Sequence, residues 1–326
     1  MRAAVVESGT IRTAERPDPV PGEGELLVKV EAAGINAADL LQKAGFYPAP
    51  AGSPPDIPGL ELAGAVVATG SGPTRFAEGD RVMGVVAGGA QSELCLLADA
   101  TALPVPDHLG WAEAGGFPEV FTTAHDALFT QCRLEAGERL LVTGAAGGVG
   151  LAAVQLGHRR GAQVVASVRN ADLRPAVARF GADEVVDPAD EGDHGPYDVI
   201  IELVGAGSFP AHLSSLAIGG RIVFIGVTGT GATAELDARL VMQRRAVVRG
   251  STLRSRSLEE KATAARAVEG DALGWLETGA ITVPVAATYP LAAVAEAYDR
   301  FAAGRKLGKV VLLVAGTGDG EGGAVT

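Results

Sequence analysis

Cysteine is nearly absent from this chain: Cys95 and Cys132 stand alone among 326 residues, so no disulfide framework organises the fold. Each lies in an apolar stretch, SELCLLA or ALFTQCRL, and is expected to be a buried free thiol. Runs of Lys and Arg are also missing. The formal net charge of -12 repels a phosphate backbone and an anionic lipid surface, so nucleic acid is not expected as a partner. No apolar run approaches the roughly 20 residues that cross a bilayer. VVLLVA near the end is far too short, and the opening MRAAVVESGTIR lacks the long apolar core of a signal peptide. The expectation is a cytoplasmic protein with no membrane partner.

Glycine, by contrast, is abundant at 45 positions, with 47% hydrophobic and 20% charged residues, as suits an α/β protein rich in tight turns. The length is comfortable for two domains. The first third reads as short β-segments, RAAVVE, GELLVKVEAAG, GAVVATG, RVMGVV and SELCLL, separated by turn signals such as PDPVPGEGE. One helix interrupts them, NAADLLQKAG, with Asn36 able to cap it. After about residue 120 the rhythm becomes strand, helix, strand. The strands are RLLVTG, AQVVASV, EVVD, DVIIELV, RIVFIG and AVVRGS, most separated by helical stretches such as GLAAVQLGHRRG, ADLRPAVARFG and FPAHLSSLAIG. Apolar strands alternating with amphipathic helices predict a doubly wound parallel sheet covered on both faces. The expected division is a β-rich domain over 1–120 completed by 262–314, a parallel-sheet domain over 121–261, and a disordered tail over 315–326.

Chemistry enters at RLLVTGAAGGVGLAAVQLG. Gly144, Gly147, Gly148 and Gly150 fall between an apolar strand and an amphipathic helix, where a tight turn lets a pyrophosphate approach the N–H groups of Gly148, Val149 and Gly150. A glycine-spaced loop also serves as a plain turn, and its place at the first strand–helix junction of a six-strand pattern favours the nucleotide reading. NAD-binding versions of this fold end the second strand with an acid that holds the ribose hydroxyls. This chain reads AQVVASVRNAD there, placing Ser167, Val168, Arg169 and Asn170 at the strand end with no acid before Asp172. A guanidinium without a competing carboxylate fits a 2′-phosphate and hence NADPH, the alternative being a solvated surface charge.

GAAGGVG with its strand and helix, VKVEAAGINAADLLQKAGFYPAP, IPGLELAGAVVATG and KLGKVVLLV together resemble the medium-chain dehydrogenase/reductase superfamily, specifically its zinc-independent quinone oxidoreductases, over about residues 1 to 314. GSTLRSRS and the IPGLELAG segment are most similar to the branch induced by a tumour suppressor in animals. The resemblance implies a GroES-like catalytic domain, a Rossmann domain, and a cleft between them for NADPH. It also implies that the zinc ligands of the alcohol dehydrogenases are replaced, with Asn36 for a cysteine, Leu60-Glu61 for a His-Glu pair, and Glu119 near the third position. Independently, the five histidines show no metal-ligand spacing with the two cysteines, so no metal is expected.

Without a Lewis acid, alcohol oxidation is disfavoured, whereas quinones, enones and enals accept hydride at a carbon conjugated to a carbonyl. By resemblance Asn36, Asp39 and Tyr47 line the acceptor site. Tyr47 is either an oxyanion donor or a packed loop aromatic, and Asp39 also suits a helix start. The resemblance further assigns Thr123 to the nicotinamide ribose or phosphate, Gly226 and Leu253 to loops framing the nicotinamide, and Lys306 to a crossing of the cofactor. Pro188 replaces a tyrosine that often covers the adenine. The expected activity is NADPH-dependent quinone reduction. Reduction of an enoyl-thioester or 2-alkenal is the alternative, and a non-catalytic NADPH-binding role, as in lens-crystallin or RNA-associated members of the family, is a third. The alternating RAVVRGSTL predicts a homodimer through the last sheet strand.

Overall fold

The computed structural model describes residues 1–227, 229 and 231–314, so the expected tail over 315–326 lies outside the described residues. Two compact units divide the chain: 1–116 with 287–303 and residues from 310, and 117–286 with 304–309.

The first unit begins with the hairpin β1 (Arg2–Glu7) and β2 (Thr10–Glu15). It continues through β3 (Glu25–Ile35), α1 (Ala37–Lys43), β4 (Glu61–Thr69), β5 (Arg81–Val85), β6 (Leu94–Ala98), β7 (Ala102–Pro104) and α2 (Trp111–Ala114). In β3 the residues Leu26, Val28 and Val30 are buried and alternate with more open positions, the period of a strand with one face in the core. The chain returns to this unit late, through α10 (Val294–Ala302), which buries Val294, Ala297 and Tyr298 at helical spacing, and a strand over Lys309–Leu313 that pairs antiparallel with β3.

The second unit runs α3 (Pro118–His125), β8 (Arg139–Val142), α4 (Gly148–Arg160), β9 (Gln163–Ser167), α5 (Arg174–Ala178), β10 (Glu184–Val186), β11 (Tyr197–Glu202), α6 (Phe209–Ser214), β12 (Leu216–Phe224), α7 (Ala238–Arg244), β13 (Val247–Gly250), α8 (Leu258–Asp271) and α9 (Leu273–Glu277). β14 (Val285–Pro290) follows, and β15 is the final strand, Lys309–Leu313. The sheet order is β10-β9-β8-β11-β12-β13, all parallel. Leu140 to Val142, Val164 to Ala166 and Val199 to Ile201 are buried without alternation, because helices cover both faces. The order reverses between β8 and β11, and that reversal opens the crevice at the carboxyl ends of the strands.

Three local expectations differ from the structure. The stretch LAIG, expected to end a helix, instead opens β12 at Leu216, and Gly219 there has a φ of +82° that no helix accepts. The strands TIRTAE and VAATYP were not expected at all. α8 and α9 belong to the parallel-sheet unit, since α8 packs on α3, whereas the sequence rhythm assigned residues from 262 onward to the β-rich unit.

Candidate functional site

In the second unit, β8 delivers the chain to the crevice. Thr143 Oγ1 lies 3.0 Å from Glu202 Oε1 and accepts the Leu203 N–H at 2.8 Å, tying the end of β8 to the end of β11. Gly144 then turns with φ +58°. Gly147 stands at the N-cap of α4 with no side-chain cap and is bridged to Gly308, so the first-turn N–H groups of Val149 and Gly150 have no partner within the helix. Side chains are excluded here by contact. A Cβ at Gly150 would lie 2.6 Å from the Gly144 carbonyl oxygen, and one at Gly148 2.9 Å from both Val120 Cγ1 and Lys309 Cδ. An uncapped thirteen-residue helix behind so tight a loop fits a pyrophosphate.

The end of β9 supplies the next group. The Ser167 carbonyl accepts the Ala145 N–H at 3.0 Å, while its hydroxyl is buried with no hydrogen-bond partner among the described residues. Val168 occupies the position where an acid would bind ribose hydroxyls, and it is buried. Arg169 is exposed and has no partner among the described residues. Asn170 accepts the Asp172 N–H at 3.2 Å through Oδ1. Arg174 is committed elsewhere, to the Val168 carbonyl at 2.9 Å and to Asp187. The Asp187 carboxyl is held below its ordinary value by the Ala189 N–H first and Arg174 second.

The remaining cofactor candidates sit at neighbouring strand ends or on α3. Gly226 follows β12, and a Cβ there would meet the Leu203 carbonyl oxygen at 2.5 Å, so the loops after β11 and β12 approach closely only because it is glycine. Leu253 is buried after β13. Thr123 lies one turn along α3 from Val120, which touches the start of α4. Lys306 donates to the Gly308 carbonyl at 3.1 Å, whereas the lysine whose stem lies against the glycine loop is Lys309. Sequence reasoning passed over Lys309, whose apolar surroundings in KLGKVVLLV read only as strand.

A second feature was also missed. His212 on α6 is buried between Glu191, at 2.7 Å from Nε2, and Glu202, at 3.0 Å from Nδ1. Burial would lower its pKa, but the hydrogen bond it donates to Glu191 and the adjacent Glu202 carboxylate prevail and raise it to about 9. Glu202 also accepts the Val204 and Gly205 N–H groups at 2.6 and 2.9 Å, so the pair anchors the loop that follows β11.

The first unit holds the other candidates. Asn36 caps α1, and its Nδ2 donates to Glu61 Oε1 at 2.9 Å. Asp39, fully buried, accepts the Asn36 N–H at 2.8 Å and the Gly59 N–H at 3.0 Å. Gln91 adds a longer bond of 3.4 Å to Asp39 and accepts the Tyr298 hydroxyl at 2.9 Å. Tyr47 is half-buried on the loop after α1. The donor set does not fit a zinc ion. The amide nitrogen at position 36 is turned to a carboxylate, Leu60 offers no donor, and no group of three or more His, Cys, Asp or Glu is placed to hold a metal among the described residues.

A GroES-like β unit and a Rossmann unit with a glycine-built helix start, carried on one chain, define a medium-chain dehydrogenase/reductase. Residues 22–132 match the alcohol dehydrogenase GroES-like domain, and 148–269 match the zinc-binding dehydrogenase family. The chain is 32% identical to human quinone oxidoreductase over 312 residues, 91% of each protein. A mycobacterial protein solved in complex with NADPH superposes with a TM-score of 0.84 at 29% identity, covering 96% of this chain and 100% of that one. Over 210 residues, 63% of this chain, it is 36% identical to a polyketide synthase of Streptomyces halstedii, of which it covers 4%. The chain belongs to the quinone oxidoreductase family of the medium-chain dehydrogenase/reductase superfamily.

Proposed function

We propose that the protein is an NADPH-dependent, metal-independent reductase of quinones and other conjugated carbonyls. The observation that supports this reading is the hydrogen bond from Asn36 Nδ2 to Glu61, two positions that the resemblance aligns with zinc ligands of the alcohol dehydrogenases. Bound NADPH supplies the hydride. The chain's own residues hold, orient and stabilise. The N-terminus of α4 binds the pyrophosphate, Arg169 meets the 2′-phosphate with Ser167 and Asn170 beside it, and Thr123, Gly226, Leu253 and Lys306 frame the nicotinamide end. On the acceptor side Asn36 and Tyr47 face the substrate, Tyr47 donates a hydrogen bond to the developing oxyanion, and Asp39 holds the start of α1 in place.

The kinship with quinone oxidoreductases supports the quinone reading, and the likeness to a polyketide synthase favours a second one, an enoyl-thioester or 2-alkenal reductase. NADPH consumption followed with 1,2-naphthoquinone and with an enal separates them. Activity should survive dialysis against a chelator, and stoichiometric tightly bound zinc would overturn metal independence. We further propose a cytoplasmic homodimer. Its support is β13, the edge strand of the parallel sheet, where Val247 and Val248 are exposed with Met242 and Ile218 nearby on α7 and β12. A monomer mass by light scattering at micromolar concentration would count against it.

A further inference from the structure

Past His125 the chain continues from α3 into a π-helical turn, Asp126–Gln131, where the Cys132 N–H reaches back five residues to the Ala127 carbonyl at 3.0 Å. Single π turns are often found at functional sites. Asp126 opens this one and is buried, and its carboxylate collects both ends of another segment. Ser251, directly after β13, donates to it from Oγ at 2.7 Å. Arg256, directly before the Ser257 cap of α8, donates from Nη1 and Nη2 at 3.0 and 2.6 Å. Arg256 Nη2 also donates to Ser251 Oγ at 2.7 Å, so the two ends meet each other as well as Asp126. Gln131 adds longer bonds of 3.3 Å to both oxygens of Asp126. Burial would raise the Asp126 carboxyl, but hydrogen bonds from Arg256 and Ser251 prevail and hold it below its ordinary value. The segment closed in this way, residues 251–256, carries the buried Leu253, whose carbonyl accepts the Arg256 N–H at 3.2 Å. Beside the clasp lies a cavity of about 470 Å³ lined by Thr130, Thr252, Glu260 and Thr263 among others, so on that side polar bonds rather than close packing hold the segment.

We propose that Asp126 and Arg256 are positioning residues for the nicotinamide: their ion pair closes the 251–256 segment into a fixed loop, and that loop holds Leu253 against the nicotinamide ring. They act through Leu253 rather than by touching the cofactor. This rests on the reading of Leu253 as part of the nicotinamide frame.

Two ligands separate positioning from a general loss of structure. NADPH carries the nicotinamide, and 2′-phospho-ADP-ribose has the same adenosine, 2′-phosphate and pyrophosphate without it. In calorimetric titrations Asp126→Ala and Arg256→Ala should each weaken NADPH roughly tenfold and leave 2′-phospho-ADP-ribose within about twofold of wild type. The double variant should bind NADPH no worse than the weaker single, because both groups serve one clasp. Where a charge variant does not fold, Ser251→Ala removes one neutral donor and keeps the ion pair, and it should weaken NADPH alone by about threefold. Equal weakening of both ligands, an unchanged NADPH affinity, or additive losses in the double variant would overturn the proposal. If the wild type favours NADH, the comparison is made between NADH and ADP-ribose with the same outcomes. A wild type that binds neither dinucleotide fails the cofactor reading itself, and this proposal falls with it.

Discussion

Each unit buries a polar network behind its candidate residues, and the two networks are held by different means. In the first unit Asp39 and Glu61 accept from neutral groups, among them the N–H groups of Asn36 and Gly59 and the side-chain amides of Asn36 and Gln91. In the second unit a histidine stands between the carboxylates of Glu191 and Glu202. Neutral donors keep their hydrogens at any ordinary pH, whereas a histidine surrenders its charge. The second network, which anchors Val204 and Gly205 at the crevice, therefore depends on a charge that alkali removes.

The strongest way to break that contrast is His212→Ala. Removing one partner of a buried ion cluster leaves the others uncompensated and costs about 3 to 5 kcal/mol. In the wild type the pH dependence follows from the direction of the shift. A folded-state pKa of about 9, above the ordinary 6.5, means the stabilisation is full below about pH 6.5 and is lost as the pH rises to about 9. The loss amounts to roughly 3 kcal/mol. The Met1 ammonium is also raised, chiefly by Asp18, but equally in wild type and variant. Urea unfolding at pH 6.5 and 9.5 should show a drop in the wild type that is largely absent in His212→Ala; equal slopes would remove His212 from the account.

The contrast also explains what was legible in the sequence. The cofactor crevice is built from backbone, and backbone needs leave local marks: glycines at fixed offsets, an apolar strand before them and an amphipathic helix after. Gly144, Gly148 and Gly150 could be read directly for that reason. The side-chain networks join residues far apart in sequence, such as Asn36 with Glu61 or His212 with Glu191, and nothing near FPAHLSS announces a buried cation. The β12 extension escaped for a related reason, since strand pairing with β11 overrides the helical look of SSLAIG. α8 and α9 could not be assigned to a unit from periodicity, because amphipathic spacing says which face is buried but not against what.

Arg169 sharpens the comparison from the cofactor side, where one exposed charge is set against a fold made of backbone. It has no partner among the described residues, while Arg174 is engaged by Asp187 and Val168. Arg169→Ala should weaken NADPH by roughly ten- to hundredfold, the worth of a charge-assisted hydrogen bond, and leave NADH nearly unchanged. Val168→Asp with Arg169→Ala should reverse the preference, because the new carboxylate would bind the ribose hydroxyls and repel the phosphate. The ratio of kcat/KM for the two cofactors decides it. A wild-type preference for NADH, or a ratio that does not move in Arg169→Ala, would refute this use of the β9 end.

The smallest effect is expected at Tyr47, and it bears on how the first unit divides labour among its three candidates. Asp39 is a carboxylate and can only accept. The Asn36 nitrogen is turned toward Glu61 and the Gly34 carbonyl, which leaves the phenol as the donor for a developing oxyanion. Tyr47→Phe keeps the ring and its packing and removes only the hydroxyl. Loss of one neutral donor to a charged oxygen is worth about 1.4 kcal/mol, so kcat should fall roughly tenfold. NADPH affinity should hardly change, since it does not depend on that hydroxyl in this reading. The acceptor KM should also stay close to wild type, because the charge that the hydroxyl meets develops only as hydride arrives. A raised KM with unchanged kcat would make Tyr47 a ground-state contact, and no change in either would reduce it to a packed loop aromatic.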